Sequence, residues 1–306
     1  MRKRNYIMIV VAIIFITLAT GCDSIQKKEE GPLKVGLLLA SSTDDMYSEG
    51  YYGYYALKSL EKKYAIEISY NDNVSNENNA AYLLNNYGKK EYDLVIAIGS
   101  MFQKPMINVG PSYEKTKFIC IGGDSSEGNV TSYVMPVEEI GSILGILSAG
   151  YNVNKSNSIA YIQNEKSLSY YEGFLKGIKS INSQTPVKEF VLKSDDTYTD
   201  LVNKFQGNSI GLVSVMFYSP RLEKNLTDKS YSLLSLGGDE RETNIPRVKI
   251  KYDKIFDIIY QDNLKKNING KNINLSLNGN ILEVYGIDLF NSTIRATLEA
   301  ALPKGD

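Results

Sequence analysis

Residues 34–40 (KVGLLLA), 92–99 (YDLVIAIG), 117–123 (KFICIGG), 158–163 (SIAYIQ) and 210–217 (IGLVSVMF) are short, almost unbroken apolar runs. A strand covered on both faces reads this way, because neither side meets water. Between the runs, apolar positions return every three or four residues. Residues 47–63 carry Tyr51, Tyr55, Leu57 and Leu60 at that spacing, and residues 76–88 carry Ala80, Leu83 and Leu84. These predict helices with those side chains facing inward. AIEISY (65–70) and TSYVMP (131–136) predict further strands. The alternation predicts parallel sheets with helices on both faces.

Residues 137–150 (VEEIGSILGILSAG) predict an apolar helix whose small residues suit close packing. After YNVNKSN the rhythm restarts, with strand 158–163, helix 168–181, strand 187–193, helix 197–206, and strands 210–217 and 231–238. Two α/β lobes are therefore expected, over 33–150 and 151–246. Residues 247–306 are expected to complete them with a helix at 254–267, a hairpin-like pair in LSLNG and ILEVYGI, and a closing helix at 289–302. The fold class read from this order is α/β, with two doubly wound parallel-sheet lobes joined by a hinge.

The N-terminus obeys a different pattern. Arg2, Lys3 and Arg4 precede a greasy run from Tyr6 to Thr17, and small residues lead to Cys22. A basic start, an apolar stretch and small residues make a secretory signal. The stretch is shorter than the roughly 20 residues that cross a bilayer. Gly21-Cys22 resembles the cleavage site of bacterial lipoproteins. That resemblance implies a signal peptide over 1–21 and a mature chain whose Cys22 sulfur carries lipid. Residues 22–32 are then a lipidated Cys and a polar tether, and the protein lies on the extracytoplasmic face of the cell membrane. An uncleaved anchor helix is the alternative.

Composition narrows the chemistry. The chain holds two cysteines and no histidine, and its net charge is -1. Without histidine there is no Ser-His-Asp or Cys-His nucleophile system, and the usual zinc ligand is missing. Cys120 lies in a buried-strand pattern and has no partner once Cys22 is lipidated, so no disulfide framework is expected. The charge gives no reason to expect nucleic acid. Asp195, Asp196 and Asp200 lack the spacing of a calcium loop. Gly99, Gly122 and Gly123 suit tight turns at strand ends better than a phosphate cradle. No cofactor, metal or catalytic residue is expected.

Loops after parallel strands converge on a crevice at their carboxyl ends. The loops 41–47, 99–105, 122–129, 163–171, 216–221 and 237–242 are the expected lining. They are polar with aromatics interleaved, which fits a small polar ligand with one flat face. Each candidate has a structural alternative: Asp44 and Asp45 suit a helix N-cap, and Tyr47, Tyr171 and the tyrosines at 51, 52, 54 and 55 suit packing.

KVGLLLASSTDDMYSEGYYG, YDLVIAIGS, EEIGSILGILSAGY, YYEGFLKGIKSIN and LLSLGGDERE, in this order, resemble the basic membrane protein / purine-nucleoside receptor family of ABC-transporter lipoproteins. That resemblance implies the type I periplasmic-binding fold and no enzymatic activity. It implies a nucleoside-like solute held between the lobes and passed to an ABC permease. It places ligand contacts at Asp44 or Asp45, Tyr47, Phe102 and Asp239, and the expected cleft loops add Ser100 and Tyr171 as candidates. The family's Asn beside the aromatic is missing, with Ser48 and Glu49 in its neighbourhood. Some relatives act in competence regulation, so a sensor or regulator that keeps the fold is the alternative function.

Overall fold

The computed structural model describes residues 31–153, 157–163, 168–193, 196–238 and 245–302. Cys22, Asp195 and Asp239 lie outside the described residues. From Lys34 onward the chain forms one unit.

The apolar runs become strands as their pattern requires. The first sheet contains β1 (Leu33–Leu39), β2 (Ile66–Asn71), β3 (Leu94–Ile98), β4 (Lys117–Ile121), β5 (Val130–Val134) and β11 (Asn272–Asn274), in the order β11-β5-β4-β3-β1-β2. The pairings β1–β3, β3–β4, β4–β5 and β5–β11 are parallel. All five residues of β3 are buried, because helices cover both of its faces. The second sheet contains β6 (Ser158–Gln163), β7 (Val187–Val191), β8 (Ile210–Val215) and β9 (Ser232–Ser235), in the order β7-β6-β8-β9, all parallel. Cys120 is a fully buried free thiol in β4, and burial pushes its pKa up to about 12.

Helices α1 (Glu49–Tyr64), α2 (Glu77–Lys89) and α3 (Gln103–Val109) flank the first sheet. Ala80 and Leu84 are fully buried as expected, while Leu83 is half-buried. The inward set expected of α1 needs correction. Leu57 is buried, but Tyr55 is 51% exposed. It forms a surface tyrosine cluster with Tyr51 and Tyr54, and Tyr70 of β2 joins through Tyr54.

Helix α4 (Val137–Asn152) crosses over and packs against α5 (Leu168–Ile181), β8 and β9 of the second sheet. Its small residues serve the close approach expected of them. A Cβ at Gly145 would lie 2.1 Å from the Phe174 carbonyl oxygen, and one at Gly173 would lie 2.0 Å from that of Glu138. Helix α4, assigned by its sequence to the end of the first lobe, thus packs on elements of the second sheet's layer.

The second layer continues with α6 (Tyr198–Asn203) and α7 (Pro220–Thr227). β10 (Arg247–Ile250) and β12 (Leu282–Tyr285) then form an antiparallel pair, separated in sequence by α8 (Tyr252–Leu264) and β11. Helix α8 packs on α1, and α9 (Ser292–Ala301) packs on α4. The hairpin-like pair expected in LSLNG and ILEVYGI is not formed. Leu277–Gly279 is a 3-10 turn, and β12 finds its partner in the distant β10.

Candidate functional site

The parallel strands end facing a cleft, and all six expected loops line it. One chamber of about 440 Å³ is walled by Asp45, Tyr47, Tyr52, Phe217, Tyr218, Gly237, Lys249 and Tyr252, among others. A second, of about 630 Å³, is lined by Gly99, Ser100, Gly122, Gly123, Asp124, Gln163, Ser169, Tyr170 and others. Glu49, Met216, Phe217, Ile250 and Tyr252 line both, so the two chambers form one continuous cleft.

The loop after β1 is built by local hydrogen bonds. Asp72 at the end of β2 accepts from the Thr43 N–H (2.8 Å) and from its hydroxyl (2.9 Å). These bonds hold the Asp72 carboxyl below the usual aspartate range. The Asp45 carboxylate accepts from the Tyr47 N–H at 3.1 Å. The cap of α1 is Ser48, whose hydroxyl accepts from the Tyr51 N–H at 3.0 Å. Neither Asp44 nor Asp45 caps the helix. Asp45 and Tyr47 reach the cleft, while Asp44 is exposed and lines neither chamber.

The ring of Tyr47 lies 5.0 Å from that of Tyr218, tilted by 57°. Tyr47 comes from the loop after β1 and Tyr218 from the loop after β8, so this pair bridges the two sheets across the cleft. A second bridge runs from the Tyr52 hydroxyl to the Gly238 carbonyl at 3.2 Å. Tyr218 is fixed from behind. Its hydroxyl donates to Glu223, which also accepts from Arg247 at 2.9 Å, and the Arg247 guanidinium sits 5.4 Å from the ring centre. Arg247 is 2% exposed and also donates to the Ser235 hydroxyl at 3.0 Å.

Glu49 starts α1 and accepts a hydrogen bond from the Tyr252 hydroxyl, at the start of α8. It keeps an exposed surface toward the cleft, yet protein crowds it on several sides. Loss of bulk water pushes its carboxyl above the usual glutamate range, and the Tyr252 phenol only partly opposes this. Burial and the neighbouring Glu49 raise the Tyr252 phenol well above its ordinary value. Burial, then Glu49, also pushes Tyr170 up to about 12.

Of the expected contacts, the structure brings Asp45, Tyr47 and Ser100 together at the cleft. Phe102 is a correction: it is fully buried in the core of the first sheet, against Met106, Phe118 and their neighbours. Gly99, at φ 113°, turns the chain so that Ser100 faces the cleft and the next ring faces inward. Tyr171 is also corrected. Its ring lies 5.2 Å from Tyr161 of β6, and its helical neighbour Tyr170 lines the cleft instead. Adjacent helix positions point about 100° apart. Glu49, Tyr52, Lys249 and Tyr252 were not expected. For Lys249 and Tyr252 the missing signal is tertiary, because β10 and α8 return to the cleft from far along the chain, whereas Glu49 and Tyr52 sit on the first turn of α1, just past the expected loop. Among the described residues no group of His, Cys, Asp and Glu is placed to hold a metal ion. Nor is any helix among them long and apolar enough to cross a membrane.

A family model described as ABC transporter substrate-binding protein PnrA-like matches residues 33–201. Transcriptional activator protein med of Bacillus subtilis is 25% identical over 199 residues, 65% of this chain and 61% of that protein. An uncharacterized lipoprotein of Pyrococcus furiosus is 25% identical over 210 residues, 65% of this chain and 52% of that protein. The chain thus spans between half and two thirds of the length of these relatives. A solved ABC transporter solute-binding protein from Conexibacter woesei superposes with a TM-score of 0.67 at 14% identity, covering 88% of this chain and 94% of the other. That likeness identifies the fold as the periplasmic-binding-protein type.

Proposed function

This chain belongs to the PnrA-like family of ABC transporter substrate-binding proteins, and we propose that it captures a ring-bearing polar solute of nucleoside type and presents it to a permease. The family is one of solute-binding proteins rather than enzymes. The observation that carries the reading is the cleft itself. Rings from both sheets' loops, Tyr47, Phe217 and Tyr218, and Tyr252 at the start of α8 line a cavity that is also lined by Asp45 and Glu49. Flat apolar faces beside hydrogen-bond acceptors suit a solute with a planar ring and several hydroxyl or amino donors.

Lipid on Cys22 would hold the domain at the extracytoplasmic face and raise its effective concentration at the permease. The lipoprotein description of the Pyrococcus relative supports this part. Asp239 remains in the proposal as a further carboxylate contact from the sequence.

The test is calorimetric titration and thermal shift of residues 33–306 with purine and pyrimidine nucleosides. A true ligand at a hundredfold excess over its Kd stabilises the fold by about 2.7 kcal/mol. Asp239→Ala and Tyr47→Ala should each weaken binding. If no nucleoside shifts the melting temperature or gives heat, the nucleoside assignment is wrong.

A second reading, a regulator that keeps the fold, is favoured by the likeness to Transcriptional activator protein med. Deletion of the gene separates the two. Loss of solute uptake with unchanged transcription supports import, and altered transcription with normal uptake supports regulation.

A further inference from the structure

Among the described residues Glu49 is the one carboxylate that lines both chambers. It stands between the tyrosine-rich chamber and the one floored by Gly99, Gly122 and Gly123. The second chamber also carries Asp124, whose carboxylate accepts from the Gln103 amide at 3.1 Å. Among the described residues no lysine or arginine lines this second chamber. Lys249, which lines the first chamber beside Glu49, lies 4.9 Å over the Tyr52 ring.

Such a wall has a direction. A solute with a flat ring fits among Tyr47, Tyr218 and Tyr252. Whatever it extends past Glu49 meets acceptors and negative charge in a cavity with low-dielectric walls, which focus the field. Phenol hydrogen bonding fixes the Glu49 carboxylate in place, and among the described residues no lysine or arginine forms an ion pair with it. A neutral hydroxyl would satisfy one lone pair. An ammonium would satisfy the lone pair and supply the missing counter-charge, and charge-assisted bonds are about twice as strong as neutral ones.

We infer that Glu49, oriented by Tyr252, selects solutes that carry a primary amine next to their ring, and that this site prefers an aminated ligand over its hydroxyl counterpart. The inference rests on the cleft being the solute site, and it narrows the solute class beyond a neutral nucleoside.

The test uses two isosteric probe pairs: 5′-amino-5′-deoxyadenosine against adenosine, and tryptamine against tryptophol. Calorimetry on residues 33–306 should give a tighter Kd for the amine in at least one pair, by about tenfold or more, the value of one charge-assisted hydrogen bond. Glu49→Gln should bring that ratio to roughly one, and Glu49→Lys should invert it. Melting curves of both variants establish that they fold.

Equal binding of amine and alcohol in both pairs overturns the inference. An amine preference that survives Glu49→Gln overturns it too. If tryptamine binds in a Glu49-dependent way while neither adenosine analogue binds, the inference stands and the nucleoside assignment falls. If no probe of either pair binds, both are overturned.

Discussion

At the residue scale, Glu49 and Tyr47 show two costs of keeping a cleft open. Glu49 begins a helix, where a negative charge is favoured by the helix dipole, yet crowding drives its carboxyl above the usual range. Below the ordinary glutamate value, folded and unfolded chains both hold the proton. As pH rises, the unfolded chain releases it first, so the contribution to stability is lost until pH passes the raised folded value. Glu49→Gln should therefore melt at a higher temperature than the wild type at pH 7, and the gain should vanish at pH 4 and below. Melting scans across that range check it. A stabilising loss of a charged group is what a binding residue held at the expense of stability produces. Tyr47 makes the opposite trade. An aromatic pair is worth about 0.5–1.5 kcal/mol beyond burial, so Tyr47→Ala should cost about 1 kcal/mol of stability in urea and weaken the solute's Kd by more than that share.

The element scale decides how firmly those side chains are held. Asp72 ties the loop carrying Asp45 and Tyr47 to the end of β2 through two hydrogen bonds from Thr43. Bonds to a charged acceptor are worth about 1.5–3 kcal/mol when shielded, and less at this half-exposed position. Asp72→Ala should cost about 1–2 kcal/mol and loosen solute binding. Its contribution is present above the ordinary aspartate value and disappears as pH falls through the lowered one. Denaturant titrations of both proteins at pH 7 and pH 3 check the sign, with the difference shrinking at the lower pH. The α4–α5 pair tests packing. Gly145→Ala and Gly173→Ala each push a methyl into a facing carbonyl, and overpacking of this kind costs about 1–3 kcal/mol. Gly207→Ala has open space around it, at φ 75°, so its cost would come from backbone strain alone. The closeness of α4 was legible in VEEIGSILGILSAG, because glycines four apart mark one helix face. Which helix fills that face was not legible.

Across the whole molecule, the sheets are joined by the β5–α4 crossing and by the segments that β10 and β12 bring together, while Tyr47–Tyr218 and Tyr52–Gly238 bridge the cleft. Both bridges join loops or helix starts across the cleft rather than elements within one sheet, so their loss is expected to act on the cleft before it acts on the fold. The double variant Tyr47→Ala, Tyr52→Phe should give faster hydrogen exchange in the loops after β8 and β9, with the exchange of β3 and β6 unchanged. Hinge closure around a ligand, the behaviour of this fold, should reverse that difference once the solute is bound. An unchanged exchange pattern in the two loops would show that the bridges carry no part of closure.

What the sequence determined by itself follows from local periodicity. A buried parallel strand must be apolar on both faces, so β1, β3, β4, β6 and β8 announced themselves, and with them the α/β class and the loops at their carboxyl ends. Asp45, Tyr47 and Ser100 were legible because they sit in those loops. The tertiary structure alone decided the rest. Phe102 and Tyr171 turned away from the cleft because one residue of rotation, at Gly99 or along α5, exchanges the core face for the cleft face. β12 left its neighbour in sequence for β10, since strand pairing is set by the hydrogen bonds that an unpaired edge must satisfy, and not by distance along the chain. Glu49 acquired its raised carboxyl only when the folded chain took bulk water from it, with the Tyr252 hydrogen bond opposing the rise: a pKa is a property of the space around a group, and that space is made by the fold.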